Sequence, residues 1–219
     1  MKTAIIFGSS GLVGGCLLDL LINDNYYLKI KIFVRNKIIF DDPKIEIIQI
    51  DFDKYNDYAD LIQGDDCFFC IGTTKKETQN KREYRVVEYD LPVKIAQIAK
   101  KNNINSFMYV SSLGSNSFSN NTYLKNKGET EEVLKKLNFP RLSIIRPSLL
   151  LGSRNKFRFG EFIGQKLFKN LSFLFLGPLK QYRAIEAKDV SKAMLYISKN
   201  DQKIIYYDSE YIQDLSKKL

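Results

Sequence analysis

Gly8-Ser9-Ser10-Gly11-Leu12-Val13-Gly14 is the stretch that decides the fold of this chain. The apolar residues 3–7 before it predict a buried strand, and the apolar-faced residues 16–22 after it predict a helix. A glycine-rich turn between a strand and a helix points backbone N–H groups and the positive end of the helix at one place, which favours a bound phosphate. The spacing G-x-x-G-x-x-G is a variant of the dinucleotide fingerprint. A glycine-rich loop without a ligand is the alternative, but the position between strand and helix favours a nucleotide.

The residues of this turn have separate predicted roles. Gly8 permits the tight turn, Gly11 allows the pyrophosphate to approach, and Gly14 allows close packing of the helix on the strand. Ser9 and Ser10 add hydroxyl donors. The cofactor-binding residues predicted here are Gly8, Ser9, Ser10, Gly11, Leu12 and Val13.

The length and the apolar content of the chain limit the class of protein to which it can belong. The 219 residues predict one domain over residues 1–219, and the hydrophobic fraction of 44% is typical of a globular protein. No apolar run reaches the ~18 residues of a membrane span. The apolar run at the N-terminus ends in the glycine turn and lacks a small-residue cleavage pattern, which argues against a signal peptide. We therefore expect a cytoplasmic protein without a membrane span.

The net charge of +9, from 34 Lys and Arg against 25 Asp and Glu, is compatible with nucleic-acid binding. However, the lysines are scattered and rarely alternate with aromatic residues as a stacking platform requires. Nucleic acid is thus not the expected partner, whereas the charge favours an anionic ligand such as a phosphorylated cofactor. The substrate is expected to be a small molecule, and the sequence leaves the oligomeric state open, a homodimer included.

The chain has three cysteines and no histidine. Cys67 and Cys70 form a C-x-x-C pair inside a strand-like run, whereas redox pairs of this kind open helices, so we expect buried cysteines. A four-ligand zinc site of the usual kind cannot be assembled, and no metal is expected. The lack of histidine excludes Ser-His-Asp and Cys-His catalysis, so acid–base work near neutral pH falls to Tyr, Lys, Asp, Glu or Cys.

Strand and helix patterns alternate along the chain, which predicts a doubly wound α/β fold: a parallel sheet between two layers of helices. The predicted strands are residues 3–7, 29–34, 45–50, 66–71, 107–110, 142–145 and 204–207. The predicted helices are residues 16–22, 55–62, 83–101 (with a kink or break at Pro92), 126–137, 157–168 and 188–198. Residues 149–183 are expected to form a small substrate-side subdomain, and ligands are expected at the carboxyl ends of the strands.

Arg35 and Asn36 follow the second predicted strand, where NAD-binding proteins carry an acidic residue for the ribose 2′-hydroxyl. A guanidinium pairs instead with the 2′-phosphate of NADP, so NADP is the preferred cofactor and NAD the alternative. The alternative is that Arg35 is a solvated arginine at the end of a strand. After the third strand, Asp51 could accept from the adenine amino group while Phe52 flanks the ring, although Asp51 could also be an ordinary strand-end cap.

Tyr123 and Lys127 are four residues apart and share one face if the segment is helical. The pKa of an isolated tyrosine is about 10. A nearby ammonium favours the phenolate, so such a tyrosine can relay a proton to or from a carbonyl or hydroxyl. Lysine is common in this chain, so the pair alone is a weak signal. Ser111 and Ser112 strengthen it, because a hydroxyl at the end of the fifth strand could hold the substrate oxygen; we favour Ser112.

Taken together, these residues resemble the short-chain dehydrogenase/reductase superfamily, and within it the small atypical members related to the HIV Tat-interactive protein. The superfamily resemblance covers most of residues 1–198. Its matching pieces are the glycine turn, Ser111-Ser112, Tyr123 to Lys127, Arg146-Pro147 and Ala187-Lys188-Asp189-Val190. The closer similarity is carried by Cys70-Ile71-Gly72-Thr73-Thr74, Tyr109-Val110-Ser111-Ser112-Leu113-Gly114 and Tyr123-Leu124-Lys125-Asn126-Lys127-Gly128-Glu129.

The resemblance implies a Rossmann fold, NADP binding and a catalytic set of Ser112, Tyr123 and Lys127, with Lys127 also holding the nicotinamide ribose. It further implies that a second group of residues borders the cofactor, namely Ile71, Gly72, Thr73, Thr74, Ser111, Pro147 and Ser148. The chain departs from many active dehydrogenases, since no asparagine stands near Val87-Glu88-Tyr89-Asp90 to support a proton relay. That departure weakens the prediction of catalysis more than the prediction of cofactor binding.

Three functions follow as hypotheses. The first is an NADPH-dependent oxidoreductase acting on a carbonyl or alcohol. The second is a non-catalytic NADPH-binding regulator or protein-interaction module. The third is an epimerase of nucleotide-linked sugars with bound NAD, which Arg35 and the short C-terminal part argue against.

Overall fold

The computed structural model describes residues 2–74, 78–152, 182–200 and 205–219. The strands are β1 (Lys2–Phe7), β2 (Tyr27–Val34), β3 (Ile45–Gln49), β4 (Asp66–Phe69), β5 (Ser106–Val110), β6 (Arg141–Arg146), β7 (Leu150–Leu151), β8 (Ile185–Glu186) and β9 (Tyr206–Asp208). Seven of them form one parallel sheet in the order β3-β2-β1-β4-β5-β6-β9. A second, two-stranded parallel sheet pairs β7 with β8.

Helices cover both faces of the large sheet. They are α1 (Leu12–Ile22), α2 (Tyr55–Tyr58), α3 (Lys81–Arg85), α4 (Leu91–Lys101), α5 (Thr122–Lys136), α6 (Ala187–Lys199) and α7 (Ser209–Ser216). A 3₁₀ turn (Ala59–Leu61) follows α2, and a π turn (Val86–Asp90) joins α3 to α4.

Two hydrophobic cores lie on opposite faces of the sheet because successive strand residues point in opposite directions. On β1, Ala4 and Ile6 face a core shared with α1, α6 and α7. Their neighbours Ile5 and Phe7 face a second core shared with α2, α4 and α5. The predicted three-layer, doubly wound Rossmann-like fold is therefore confirmed.

The order of strands reverses between β1 and β4, so the crevice for a ligand lies beyond the carboxyl ends of these two strands. Phe7 pairs with Phe69 at that edge, and the Cys70 amide donates to the Phe7 carbonyl at 2.8 Å. The glycine turn after β1 and the segment after β4 therefore meet at the place where dinucleotides bind in this fold.

Several predicted boundaries change in the structure. The helix predicted over 83–101 is helical through Pro92, which lies in the first turn of α4, and a π turn interrupts the regular α-helix directly before it. The helix predicted from residue 126 begins at Thr122, because the Asn121 side chain accepts from the Tyr123 amide at 2.9 Å and caps it.

Other predictions fall on shorter or undescribed segments. Strand β4 ends at Phe69 rather than residue 71, and the helix expected over 55–62 is a four-residue helix followed by the 3₁₀ turn. The helix predicted over 157–168 and most of the expected subdomain over 149–183 lie outside the described residues.

Candidate functional site

The turn after β1 has no room for side chains at two of its glycines. Gly8 has φ of +91°, and a Cβ there would lie 2.8 Å from the backbone carbon of Cys70. A Cβ on Gly14 would lie 2.2 Å from the Gly8 carbonyl oxygen. The Gly11 amide donates to that same oxygen at 2.9 Å and closes the turn. Glycine is therefore required at positions 8 and 14 by the backbone itself.

The turn also leaves polar groups without partners. Gly11 occupies the N-cap position of α1, and no side chain there accepts a hydrogen bond from the helix. The first amides of α1 are therefore open to a ligand. The hydroxyl of Ser9 is buried and has no hydrogen-bond partner among the described residues. Ser10 is exposed beside it. An uncapped helix start and an unpaired buried donor fit the pyrophosphate of a dinucleotide.

The next two helical residues face different surroundings. Val13 is buried in the α1 side of the core, where its carbonyl accepts from the Ser191 hydroxyl at 2.8 Å. Leu12 is half-buried, and a Cβ on Gly152 would lie 2.8 Å from its side chain. The chain leaving β7 therefore passes directly over the start of α1.

The residues predicted for the adenosine end lie beyond β2 and β3. Arg35 and Asn36 are exposed, and the Gln49 side chain donates to the Arg35 carbonyl at 3.3 Å. Asp51 is also exposed, and its carboxylate lies 3.7 Å from the ammonium of Lys54. The arginine side chain has no ion-pair partner within the described ranges and is accessible to a phosphate.

Phe52 is half-buried, with its ring centroid 6.5 Å from that of Phe7 in the last position of β1. Its carbonyl accepts from the Tyr58 hydroxyl at 3.2 Å. The residue is therefore fixed at the strand end where the sequence predicts the adenine ring.

Tyr123 and Lys127 both lie in α5, so the four-residue spacing does place them on one helical face. Tyr123 is half-buried, whereas Lys127 is 3% exposed. The Lys127 ammonium donates to the Val110 carbonyl at 2.9 Å and lies 4.7 Å from the centre of the Tyr109 ring. It therefore sits directly beneath the carboxyl end of β5.

A residue without a predicted role, Glu88, holds this lysine. Glu88 lies in the π turn, is 1% exposed, and places one carboxylate oxygen 3.0 Å from the Lys127 ammonium. Burial lowers the pKa of Lys127, but the negative charge of Glu88 and the nearby tyrosines Tyr109 and Tyr123 outweigh burial and hold that pKa well above its ordinary value. The lysine is therefore an ammonium in the folded protein.

Ser111 and Ser112 have different surroundings although they are adjacent. The Ser111 hydroxyl is buried and donates to the Glu131 carboxylate at 2.5 Å. Glu131 in turn accepts from the guanidinium of Arg146. The Ser112 hydroxyl is partly exposed, with only a 3.4 Å contact to the Leu113 carbonyl. Of the two serines, Ser112 is thus the one whose hydroxyl is not held by a carboxylate of the described residues.

The loop that carries Ser112 packs on the first turns of α5. The Asn116 amide donates to the Leu124 carbonyl at 3.1 Å. A Cβ on Gly128 would lie 2.4 Å from the backbone of Asn116 and Ser117. The glycine at position 128 is therefore what allows the serine loop to approach the helix bearing Tyr123 and Lys127.

The remaining predicted residues lie in the segments that follow β4 and β6. Ile71 and Thr73 are half-buried, whereas Gly72 and Thr74 are exposed. The Thr73 hydroxyl lies 2.9 Å from that of Thr78.

Beyond β5 and β6, the Pro147 carbonyl accepts from the Leu113 amide at 2.8 Å. The Ser148 hydroxyl donates to the Arg183 carbonyl and lies 2.9 Å from the Ser209 hydroxyl. The segment after β6 is thereby joined both to the serine loop and to the start of α7.

The three cysteines are free thiols. Burial raises the pKa of Cys67 well above its ordinary value and that of Cys70 to about 12. Within the described residues, no cluster of acidic or thiol side chains is arranged to hold a metal ion.

Comparison with known proteins decides the family. A model of NAD(P)H-binding proteins matches residues 8–169. The chain belongs to this family. Family membership agrees with the uncapped glycine turn and with its place at the switch point of the sheet.

Named relatives of this NAD(P)H-binding protein agree with the resemblance found in the sequence. Protein HTATIP2 of Rattus norvegicus is 34% identical over 78% of this chain and 72% of its own. The mitochondrial protein FMP52 of Debaryomyces hansenii is 30% identical over 90% of this chain and 87% of its own.

The expected cytoplasmic location is wrong. It is contradicted by the FMP52 relatives, which are mitochondrial proteins, and nothing in the comparisons supports a cytoplasmic location. No helix within the described ranges is long and apolar enough to cross a membrane.

Solved structures show the same fold at low identity. WbmH of Bordetella bronchiseptica, determined with NAD+, superposes with a TM-score of 0.72 at 16% identity, over 99% of this chain and 79% of its own. A UDP-N-acetylglucosamine 4-epimerase of Methanobrevibacter ruminantium superposes with a TM-score of 0.71 at 20% identity, over 94% of this chain and 76% of its own.

Proposed function

We propose that this NAD(P)H-binding protein is an NADPH-dependent oxidoreductase of the atypical short-chain dehydrogenase/reductase type, which interconverts a carbonyl and an alcohol. The observation that carries the proposal is the location of Lys127, held as a buried ammonium beside Tyr123 at the carboxyl end of β5. A bound nicotinamide dinucleotide supplies the hydride donor or acceptor for such a reaction.

The side chains of the site have distinct proposed tasks. Tyr123 gives a proton to the carbonyl oxygen or takes one from the alcohol. Lys127 favours the phenolate by its charge and holds a ribose hydroxyl. Ser112 holds the substrate oxygen, because the Ser111 hydroxyl is already engaged by Glu131. Residues 149–183 are proposed to cover the substrate side.

The catalytic assignment is tested with Tyr123→Phe. Purified wild-type protein is assayed for NADPH oxidation against a broad panel of aldehydes and ketones. We expect turnover by the wild type and a loss of about 100-fold or more in Tyr123→Phe, because the proton donor is removed while the ring remains. NADPH affinity should stay within about threefold. Tyr196→Phe, on α6 and packed against the core shared with α1, is the matched control. Unchanged turnover in Tyr123→Phe would contradict the proposed mechanism.

The preference for NADP rests on Arg35. Removing a charged hydrogen bond to a phosphate typically costs about 1.5–3 kcal/mol, or about 10- to 100-fold in affinity. Arg35→Ala should therefore weaken NADPH binding by about that factor and leave NADH binding nearly unchanged. Lys37→Ala, another exposed cation two residues further on, is the control. Equal losses for both cofactors would contradict the preference.

A second candidate function is a non-catalytic NADPH-binding regulator. The observation in its favour is that Glu88 occupies the helical region where no proton-relay asparagine is found. This candidate predicts tight NADPH binding, no turnover on the carbonyl panel, and a protein partner whose affinity changes with NADPH. Pull-downs that recover the same proteins with and without NADPH would count against it.

A further inference from the structure

The carboxylate of Glu88 joins two segments that are far apart in the sequence. One oxygen lies 3.0 Å from the Lys127 ammonium of α5, and the other accepts from the Thr73 amide at 2.6 Å. A Cβ on Gly72 would lie 3.5 Å from that carboxylate and 3.9 Å from the ammonium. The ion pair therefore lies directly beneath an exposed glycine, in the segment proposed to border the cofactor.

The helix is built to keep Glu88 in this place. Pro92 has no amide hydrogen to donate back along the helix, and the Glu88 carbonyl lies 3.1 Å from the Thr130 hydroxyl of α5. The π turn widens the helix at this residue, and such turns are frequent at functional sites. Both the backbone and the side chain of Glu88 are thus bound to α5.

We propose that Glu88 is a positioning residue that keeps Lys127 charged and fixed in the site, so that the lysine can hold the ribose and act on Tyr123. The inference rests on the proposed function. Glu88 touches neither substrate nor cofactor in this proposal and acts only through Lys127 and the Thr73 amide.

The charges around Lys127 show why a carboxylate is needed. A lysine this buried is neutral near pH 7 unless a negative group compensates for the loss of water. The Tyr84 and Tyr109 hydroxyls and the Cys70 thiol that face it are neutral near pH 7, because burial raises their pKa values. Together with Tyr123 of α5, the facing groups are Glu88 of the π turn, Tyr84 of α3, Tyr109 of β5 and Cys70 after β4. Glu88 is the only carboxylate among them.

The test is the pH dependence of NADPH binding in Glu88→Gln, which keeps the shape but removes the charge. Glu83→Gln, which removes an exposed acid of α3, is the control. Between pH 6.5 and 9.5, the change in the NADPH dissociation constant of wild type should differ from the change in this control by less than about threefold. In Glu88→Gln the dissociation constant should rise at least about tenfold over the same range, since Lys127 loses its proton and its charged hydrogen bond. Glu88→Asp should restore the wild-type profile.

Two outcomes would overturn the inference: an equal loss of affinity at every pH, which indicates a structural role alone, and a Glu88→Gln profile identical to wild type. The charge of Lys127 is measured separately by lysine side-chain NMR in the cofactor-free protein, with Lys127→Arg to assign the signal. We expect the Lys127 signal of wild type to show no titration below pH 10. A titration midpoint below pH 9 for this signal would overturn the inference, and that measurement does not depend on whether Glu88→Gln folds. If wild type binds neither NADPH nor NADH, the proposed function fails, and the NMR titration still decides the state of Lys127.

Discussion

Ser9 carries one of the buried side-chain polar atoms that have no hydrogen-bond partner within the described part of the chain. Its hydroxyl is buried in the glycine turn without a partner among the described residues, although buried polar groups are normally hydrogen-bonded. Such a group costs about 1–3 kcal/mol of stability when unpaired. A phosphate oxygen would supply the missing acceptor, so this cost is recovered only in the bound state.

Ser9→Ala should therefore change stability and binding in opposite directions. We expect the free energy of unfolding of the ligand-free protein to rise by about 1 kcal/mol, because an unpaired hydroxyl is removed. NADPH affinity should fall about fivefold, because one hydrogen bond to the phosphate is lost. Urea unfolding and a fluorescence titration measure the two effects. Ser10→Ala, at an exposed hydroxyl, should leave unfolding within about 0.5 kcal/mol; a Ser9→Ala protein that is clearly less stable would refute this account.

Among the elements, helix α5 contributes one stripe of residues both to the candidate site and to the contacts that hold the fold together. Tyr123, Lys127 and Glu131 are four residues apart and lie on one face. The first two belong to the proposed catalytic set, while Glu131 is bound by Arg146 at the end of β6. Burial lowers the pKa of Arg146, but its hydrogen bond to Glu131 and the negative charge there more than offset burial and raise it. The ion pair of Glu131 with Arg146 thus anchors the helix that carries the proposed catalytic residues.

Two glutamates of α5 provide a matched comparison. Glu131→Gln should lower the free energy of unfolding by about 2 kcal/mol, because a buried, charged hydrogen-bond partner of Arg146 is lost. Glu129→Gln removes an acid on the same helix whose ion pair with Arg85 is solvent-exposed, and it should cost about 0.5 kcal/mol or less. Chemical denaturation measures both, and equal costs would show that the buried pair adds nothing.

The elements also show where sequence reasoning ends. Periodic apolar residues predicted a helical run over 83–101 with a kink or break at Pro92, and the structure is helical there with a π turn directly before α4. The helix predicted over 126–137 left out Tyr123, which lies in α5 because that helix begins at Thr122. Glu88 received no role, because a charge inside an apolar helix pattern is normally an exposed residue. Its partner Lys127 is 39 positions away, so only the packing of α5 on the π turn reveals the pair.

For the whole molecule, the two cores bury hydroxyl and thiol groups that must stay neutral for the fold to persist. Burial raises the pKa of Cys70, Tyr109 and Tyr207 to about 12. In the unfolded chain, a thiol ionises near 9 and a tyrosine near 10. At a pH between those pKa values and about 12, the unfolded chain has lost protons that the folded protein keeps. This difference in bound protons favours unfolding.

The free energy of unfolding should therefore fall as the pH rises from about 9 to 12, by up to about 1.4 kcal/mol per pH unit for each such group. Between pH 6 and 8 it should change little, since the chain has no histidine. Tyr207→Phe removes one buried phenol and should make the alkaline fall shallower, whereas Tyr182→Phe, at a half-exposed ring, should not. Urea unfolding at a series of pH values checks this, and parallel curves for wild type and Tyr207→Phe would contradict it.

At this scale the sequence predicted the seven-stranded sheet well, because its strands are apolar and separated by helices. It missed the pairing of Leu150–Leu151 with Ile185–Glu186, since two-residue strands have no periodicity to detect. Helix Ser209–Ser216 was also missed, although its buried Ile212 and Leu215 face the core. Such short elements are fixed by what they pack against.

The π turn between α3 and α4 marks a place where the chain can change length without losing its fold. A helix rotates about 100° and advances 1.5 Å for each residue, so one extra residue in a wide turn resets the phase between the parts on either side. Deleting Val87 would leave a regular helix, with α4 still packed on the sheet. Everything before it, from the cap at Asn80, would rotate by about that angle. The wide turn thus sets the rotational phase between the capped start of the helix and the ion pair beneath Gly72.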